Sequence, residues 1–209
     1  MTSTTELDHE KEFARAWADP RNTPGARPGV DVNAVLAAHY RLSKPLEFTR
    51  TMLWDMEVRK ARRPDQYIPS VVREGSAGTW NDRKLPNGDE TFYRKSDQRQ
   101  RLVPDTHGLV LEQVRINPTL QKVTFIGAAE LPDADGTILH ATTMQPLFHV
   151  DHGVSGTETQ PVNDWRIVHL TDGPDQELLA RFKKSANVYL YEFIEVYIRD
   201  VLGIELARI

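Results

Sequence analysis

Five polar side chains fall where an alternating strand pattern is otherwise apolar. Glu112 stands between Val110 and Val114, His140 follows Ile138 in the phase of Met144 and Phe148, and His169 shares the phase of Trp165 and Ile167. Arg50 interrupts Phe48 and Met52, and Arg94 alternates with Phe92. Successive strand side chains point to opposite faces, so each of these groups points where its neighbours are dry. Leaving such a group unpaired costs about 1–3 kcal/mol, so something must satisfy it. Gathered in one cavity, Glu112, His140 and His169 would form a general acid/base set, with imidazoles poised near neutral pH and a carboxyl raised by desolvation. Arg50 and Arg94 would hold an anionic group of a substrate, and Trp54, Phe125, Phe148 and Trp165 would supply an aromatic lining. The same pattern also fits an internal Arg50–Glu112 ion pair, satisfied core histidines and an ordinary aromatic core.

A metal site is a weaker reading. His149 and His152, with Glu158, make a histidine-histidine-carboxylate set of a type used by zinc and non-haem iron. On a strand, however, a spacing of three sends the two imidazoles to opposite faces, so a shared ion needs a bend near Gly153. We assign neither metal nor cofactor. No phosphate-cradling glycine loop, dinucleotide fingerprint or nucleophile elbow occurs.

Composition narrows the classes further. The chain has 209 residues, 39% hydrophobic and 27% charged, with a net charge of −4 and no cysteine. Disulfides, thiolate metal sites and a cysteine nucleophile are thereby excluded. The charge gives no general case for nucleic acid. Two basic groups, Arg59-Lys60-Ala61-Arg62-Arg63 and the stretch around Tyr93, Arg94, Lys95, Arg99 and Arg101, read as solvated faces or local contacts rather than an RNA surface. No run reaches the length of a membrane span, and residues 1–10 are acidic without an apolar centre. A cytoplasmic protein that crosses no membrane is the expectation.

The elements that would position the five groups follow from periodicity. Residues 5–18 suit a helix with Phe13, Ala14 and Trp17 together, 20–29 read as a proline- and glycine-rich linker, and 32–42 as a second helix capped by Asp31. Between 46 and 58, Leu46, Phe48, Met52, Trp54, Met56 and Val58 share one phase, with Arg50 and Leu53 out of place, which predicts a long strand. Phe48, Met52, Leu53 and Met56 are also helically spaced, which keeps a helix as the rival. Further strands are expected at 91–101, 109–116, 121–131, 137–150 and 164–171, separated by Pro86-Asn87-Gly88, Asn117-Pro118 and the turn at 132–136. The chain then closes on one long helix, 174–202, with Pro174 at its start, Asp175 and Glu177 in its first turn and Gly203 as its stop. Val188, Ile194, Val196 and Leu202 widen its apolar stripe beyond one face, which implies a second contact, with the N-terminal arm or with another subunit as a homodimer.

The prediction is an α+β protein: a curved antiparallel sheet of about six strands clasping a long C-terminal helix, with an arm and linker at 1–45 and the ligand-binding domain at 46–209. The strand reaching Trp54, the connection Pro64-Asp65-Gln66-Tyr67-Ile68-Pro69 and the terminal helix together resemble the START-like and plant-allergen-like helix-grip superfamily, which includes polyketide cyclases and aromatases. The resemblance covers about residues 46–202, and the basic stretch before Pro64 and the N-terminal arm lie outside its pattern. It implies a cavity between sheet and helix that takes a small apolar or aromatic molecule. Such a protein either binds that molecule or cyclises, dehydrates or isomerises it without a cofactor.

Overall fold

The computed structural model describes residues 7–100, 103, 105–184 and 188–209. Its centre is a seven-stranded antiparallel sheet in the order β1-β10-β9-β6-β5-β4-β3. The strands are β1 (Thr23–Asp31), β3 (Gly78–Lys84), β4 (Glu90–Arg99), β5 (His107–Asn117), β6 (Lys122–Ala128), β9 (Phe148–Gly156) and β10 (Pro161–His169). Two small ribbons stand apart: β2 (Tyr40–Leu42) pairs with β11 (Leu206–Arg208), and β7 (Glu130–Pro132) with β8 (Ile138–His140). The α+β class and the antiparallel sheet agree with the sequence.

The segment 20–29 is not a linker. β1 forms one edge of the sheet, paired along β10 from Thr23 opposite His169 to Asp31 opposite Val162. Pro24 and Pro28 lack a backbone donor, and an edge strand is where that loss is tolerated. The predicted strand at 46–58 is also corrected. Residues Arg50–Arg62 form helix α3, with the Thr49 hydroxyl accepting from the Met52 N–H and Arg59, Lys60 and Arg62 in the last turn. The decisive face is Leu53, Met56, Glu57, Lys60 and Ala61, all buried. Its spacing of three and four uses Leu53, the residue that the alternating pattern left out of phase. The basic run suits the negative end of the helix dipole.

The remaining helices are α1 (His9–Ala18), α2 (Val32–His39), the single turn α4 (Pro64–Tyr67), α5 (Gln176–Lys184) and α6 (Glu192–Val196), the last continued by a π turn, Tyr197–Val201. The expected single helix over 174–202 is therefore two. Asp175 caps the first, accepting from the Glu177 and Leu178 N–H groups. Tyr191 is extended, at φ −63° and ψ 143°, before the second begins. Leu190, Tyr191, Phe193 and Ile194 are all buried in the cluster shared with α3 and the N-terminal segment. Gly203, at φ 64°, ends the segment as expected.

These helices cover both faces of the sheet. Phe13, Ala16 and Trp17 of α1 pack on Ile126 and Val168. On the opposite, concave face, Leu178 and Phe182 of α5 join Phe125, Phe148 and Ile167. Gly25 on β1 makes room for α5, because a Cβ there would lie 2.5 Å from the Phe182 ring. Farther along, α3, α6 and the π turn pack with Val32, Leu36 and Tyr40 of the N-terminal segment. Tyr40 donates to Glu195 and accepts from the Leu190 N–H. The arm thus covers the part of the terminal segment around Ile194, Val196 and Leu202, while Val188 stays exposed. No described helix is long and apolar enough to cross a membrane.

The helical register of 50–62 has a direct consequence for stability. Leu53→Ala is expected to cost about 2–5 kcal/mol in denaturant unfolding, as for a fully buried leucine. Glu47→Ala, outside the helix, is expected to stay within about 0.5 kcal/mol; equal effects at the two positions would contradict the helical register.

Candidate functional site

A cavity of about 540 Å³ opens between the concave face of the sheet and the helices packed on it. β4 contributes Arg94 and Gln98, β5 Glu112, β6 Phe125, β9 Phe148, Val150 and His152, β10 Trp165 and β1 Arg27. The facing wall comes from Lys60 at the end of α3, from Pro64 to Val71, and from Arg181, Tyr191, Glu192 and Phe193. The lining combines five aromatic side chains with seven charged ones.

The polar centre of this wall is built by α3. Glu57 and Lys60 are one turn apart, and the Lys60 Nζ lies 2.5 Å from Glu57 Oε2, with both side chains at least 95% buried. The ammonium also meets His152 Nδ1 at 2.7 Å and sits 3.9 Å from the centre of the Phe193 ring. Asn163 on β10 donates to the other oxygen of Glu57 at 2.8 Å. An ammonium has only donors, so Nδ1 of His152 accepts and its proton belongs on Nε2, a tautomer assigned from its partner.

Burial alone would push the Glu57 carboxyl up, but the charge of Lys60 and the nearness of His152 outweigh it and bring the group down to about 2. Burial lowers Lys60 to about 8, against the opposing pull of Glu57. Burial, followed by the charge of Lys60, lowers His152 as well. The arrangement at neutral pH is an anionic Glu57, a neutral His152 and a lysine whose proton is loosely held.

A second buried pair also lines the cavity, bonded to the residue after Lys60. Arg94 Nε and Nη2 donate to Glu112 Oε2 at 2.9 and 2.5 Å. Its Nη1 donates to the Ala61 carbonyl at 2.8 Å, satisfying one of the end groups of α3. The guanidinium also lies 4.4 Å from the centre of the Phe125 ring.

Of the residues singled out in the sequence, Glu112, Arg94, Phe125, Phe148 and Trp165 meet in the cavity. Glu112 pairs with Arg94, not with Arg50. Arg50 starts α3, its N–H bonded to the Glu158 carbonyl, and Trp54 packs between the two core clusters; neither lines the cavity. His169 is fully buried one layer behind the lining, with its ring 5.5 Å from that of Phe148 and 5.8 Å from that of Phe182. His140 is exposed on β8, 3.6 Å from Glu130. The predicted strand 137–150 is interrupted after His140, so the phase it shared with Phe148 is not continuous.

The metal reading separates as the alternation implied. His149 faces α1, 3.7 Å from Glu12, while His152 faces the cavity. Glu158 lies near the start of α3, accepting from the Thr51 N–H. Among the described residues no group of three metal-ligating side chains occurs. The basic run of α3 is spent on local partners: Arg59 on Asp55, Arg62 on Asp82 and Glu90, and Arg63 on Asp65.

Glu57, Lys60 and Arg27 escaped the sequence reading. Glu57 falls on the polar phase of a strand but on the buried face of a helix, and Glu57 with Lys60 at a spacing of three was the available signal. Arg27 lay in the supposed linker.

No protein-family model matches the sequence, and no curated protein matches it significantly. Solved structures similar to the chain include Ara h 8.0201, at 11% identity over 75% of this chain and 95% of that one, with a TM-score of 0.45. The Zhui aromatase/cyclase from Streptomyces sp. R1128 is 9% identical over 77% and 96% of the two chains, with a TM-score of 0.44. A START superfamily protein from Mycobacterium smegmatis is 9% identical over 79% and 96%, with a TM-score of 0.42.

The buried pair should shape the acid limb of stability. Unfolded Glu57 takes up a proton near its ordinary 4.5, whereas in the fold it holds out to about 2. Its contribution is present above that ordinary value and lost as pH falls toward 2. Glu57→Gln is expected to lower stability at neutral pH by about 3–5 kcal/mol, because Lys60 is left uncompensated, and to flatten the fall between pH 4.5 and 2. Denaturant titrations across that range check both.

Proposed function

We propose that this protein binds a small, largely aromatic or apolar molecule in the sheet-helix cavity and that Lys60 moves a proton on it. The observation that supports this reading best is the Glu57–Lys60–His152 cluster, a buried ion pair and imidazole forming one wall of an aromatic cavity. An amine loosened to about 8 exchanges its proton within reach of neutral pH. As ammonium, Lys60 donates to an oxygen of the bound molecule; as free amine, it takes a proton from an activated carbon. Glu57 stays anionic and fixes the amine, and His152 Nδ1 keeps a second acceptor beside it. Such proton transfers suffice for cyclisation with loss of water, for dehydration or for isomerisation, and need no cofactor.

The roles assigned to the other groups follow from their places. Phe125, Phe148, Val150 and Trp165 bury the body of the ligand. Arg94 and Glu112 neutralise one another and hold the end of α3 against the sheet, which positions Lys60 one residue before Ala61. His140 and His169 take no part, one exposed on a hairpin and the other behind the lining. A non-catalytic carrier would use the same cavity, and substitution separates the two.

Native mass spectrometry of the purified protein is expected to reveal a co-purified aromatic or apolar molecule. With that molecule or its precursor as substrate, Lys60→Met is expected to reduce turnover by about 10²–10⁴-fold, the usual contribution of a positioned acid or base, while binding is retained. Unchanged turnover in Lys60→Met would remove Lys60 from the chemistry, and retained binding without any turnover in the wild type would make the protein a carrier.

A further inference from the structure

The cations around the cavity are not equivalent. Lys60 is answered by Glu57, Arg94 by Glu112, and Arg181 by Glu177 at 2.8 Å. Arg99 stands exposed at the rim. Arg27 is half-buried in the wall, and among the described residues no carboxylate lies within ion-pair distance of it. Its Nε is fully shielded from solvent and has no hydrogen-bond partner. Buried donors are almost always satisfied, and a guanidinium keeps its charge at any ordinary pH.

The local structure presents this group deliberately. Arg27 is paired across the sheet with Trp165, and the register of β1 shifts between Arg27 and Val30, a bulge of the kind that re-aims a side chain. The guanidinium carbon lies 5.3 Å from the centre of the Trp165 ring and 5.6 Å from that of Tyr191, and both rings line the same cavity. These contacts steady its plane; Tyr191 also hydrogen-bonds the Arg27 side chain, and Nε remains without a partner.

We propose that Arg27 anchors a carboxylate on the ligand, so that the cavity selects aromatic acids over their neutral analogues. The inference rests on the pocket reading above and narrows the class of molecule it takes. A planar carboxylate matches the fork of a single guanidinium. With the acid group at Arg27, the aromatic body lies along Trp165 toward Phe125 and Phe148.

Calorimetric titration of the full chain with naphthalene carboxylate and with its carboxamide tests this. In the wild type the carboxylate is expected to bind about tenfold tighter or more, the worth of a hydrogen bond to a charged group. Arg27→Gln is expected to abolish that preference while carboxamide affinity stays as in the wild type, which also certifies the fold of the variant. Arg27→Lys, keeping the charge without the fork, is expected to fall between the two. Equal affinities in the wild type, or a preference that survives Arg27→Gln, would overturn the inference. Failure of both compounds to bind the wild type would overturn the pocket reading itself, and this inference with it.

Discussion

A glutamate and a lysine one turn apart on a helix can enter a protein interior only together. Removing either charge from water is costly, and the attraction between them offsets that cost only when the geometry is close and the remaining polar atoms are satisfied. Glu57 and Lys60 meet these terms through Asn163 on β10 and His152 on β9, two adjacent strands. The pair therefore fixes where the end of α3 sits on the sheet. From the same sheet face, Arg94 reaches the Ala61 carbonyl and does the same. Both tethers grip the last turn of α3 at consecutive residues, Lys60 and Ala61, and so set the position of the cavity wall that this turn provides.

The same constraint explains the division of the terminal segment. Phe193 must lie under Lys60, where its ring meets the ammonium, while Phe182 must lie on β1 against Gly25. Two short helices with an extended residue between them reach both places. The N-terminal segment is structural in this arrangement: β1 closes one edge of the sheet and carries Arg27, and Tyr40 holds the start of the second helix through Leu190 and Glu195.

Much of this was legible in the sequence, for a physical reason in each case. The phases of β4, β5, β9 and β10 placed Arg94, Glu112, Phe148 and Trp165 on one face, because a half-buried strand writes its orientation in its alternation. The antiparallel class and the final helical segment followed from turn residues and helix ends. The stretch 46–58 misled because its apolar residues satisfy a period of two nearly as well as one of 3.6, and the strand reading put Glu57 in water. Residues 20–29 misled because proline and glycine mark loops and edge strands alike. Both errors concealed charged residues of the cavity wall, Lys60 and Arg27, while three of its aromatic residues, Phe125, Phe148 and Trp165, were visible from the start. Buried charges at such sites are paired across the fold, and those partners are set by tertiary packing rather than by neighbours in the chain.

The most direct measurement is the titration of Lys60 itself, followed by the NMR shift of its side-chain carbon beside the amine in labelled protein and assigned with Lys60→Met. A desolvated lysine on the cavity wall, loosened as described, titrates near 8. A midpoint at the ordinary 10.5 would mean that the amine is solvated and unperturbed, and would contradict a proton-moving lysine in this cavity.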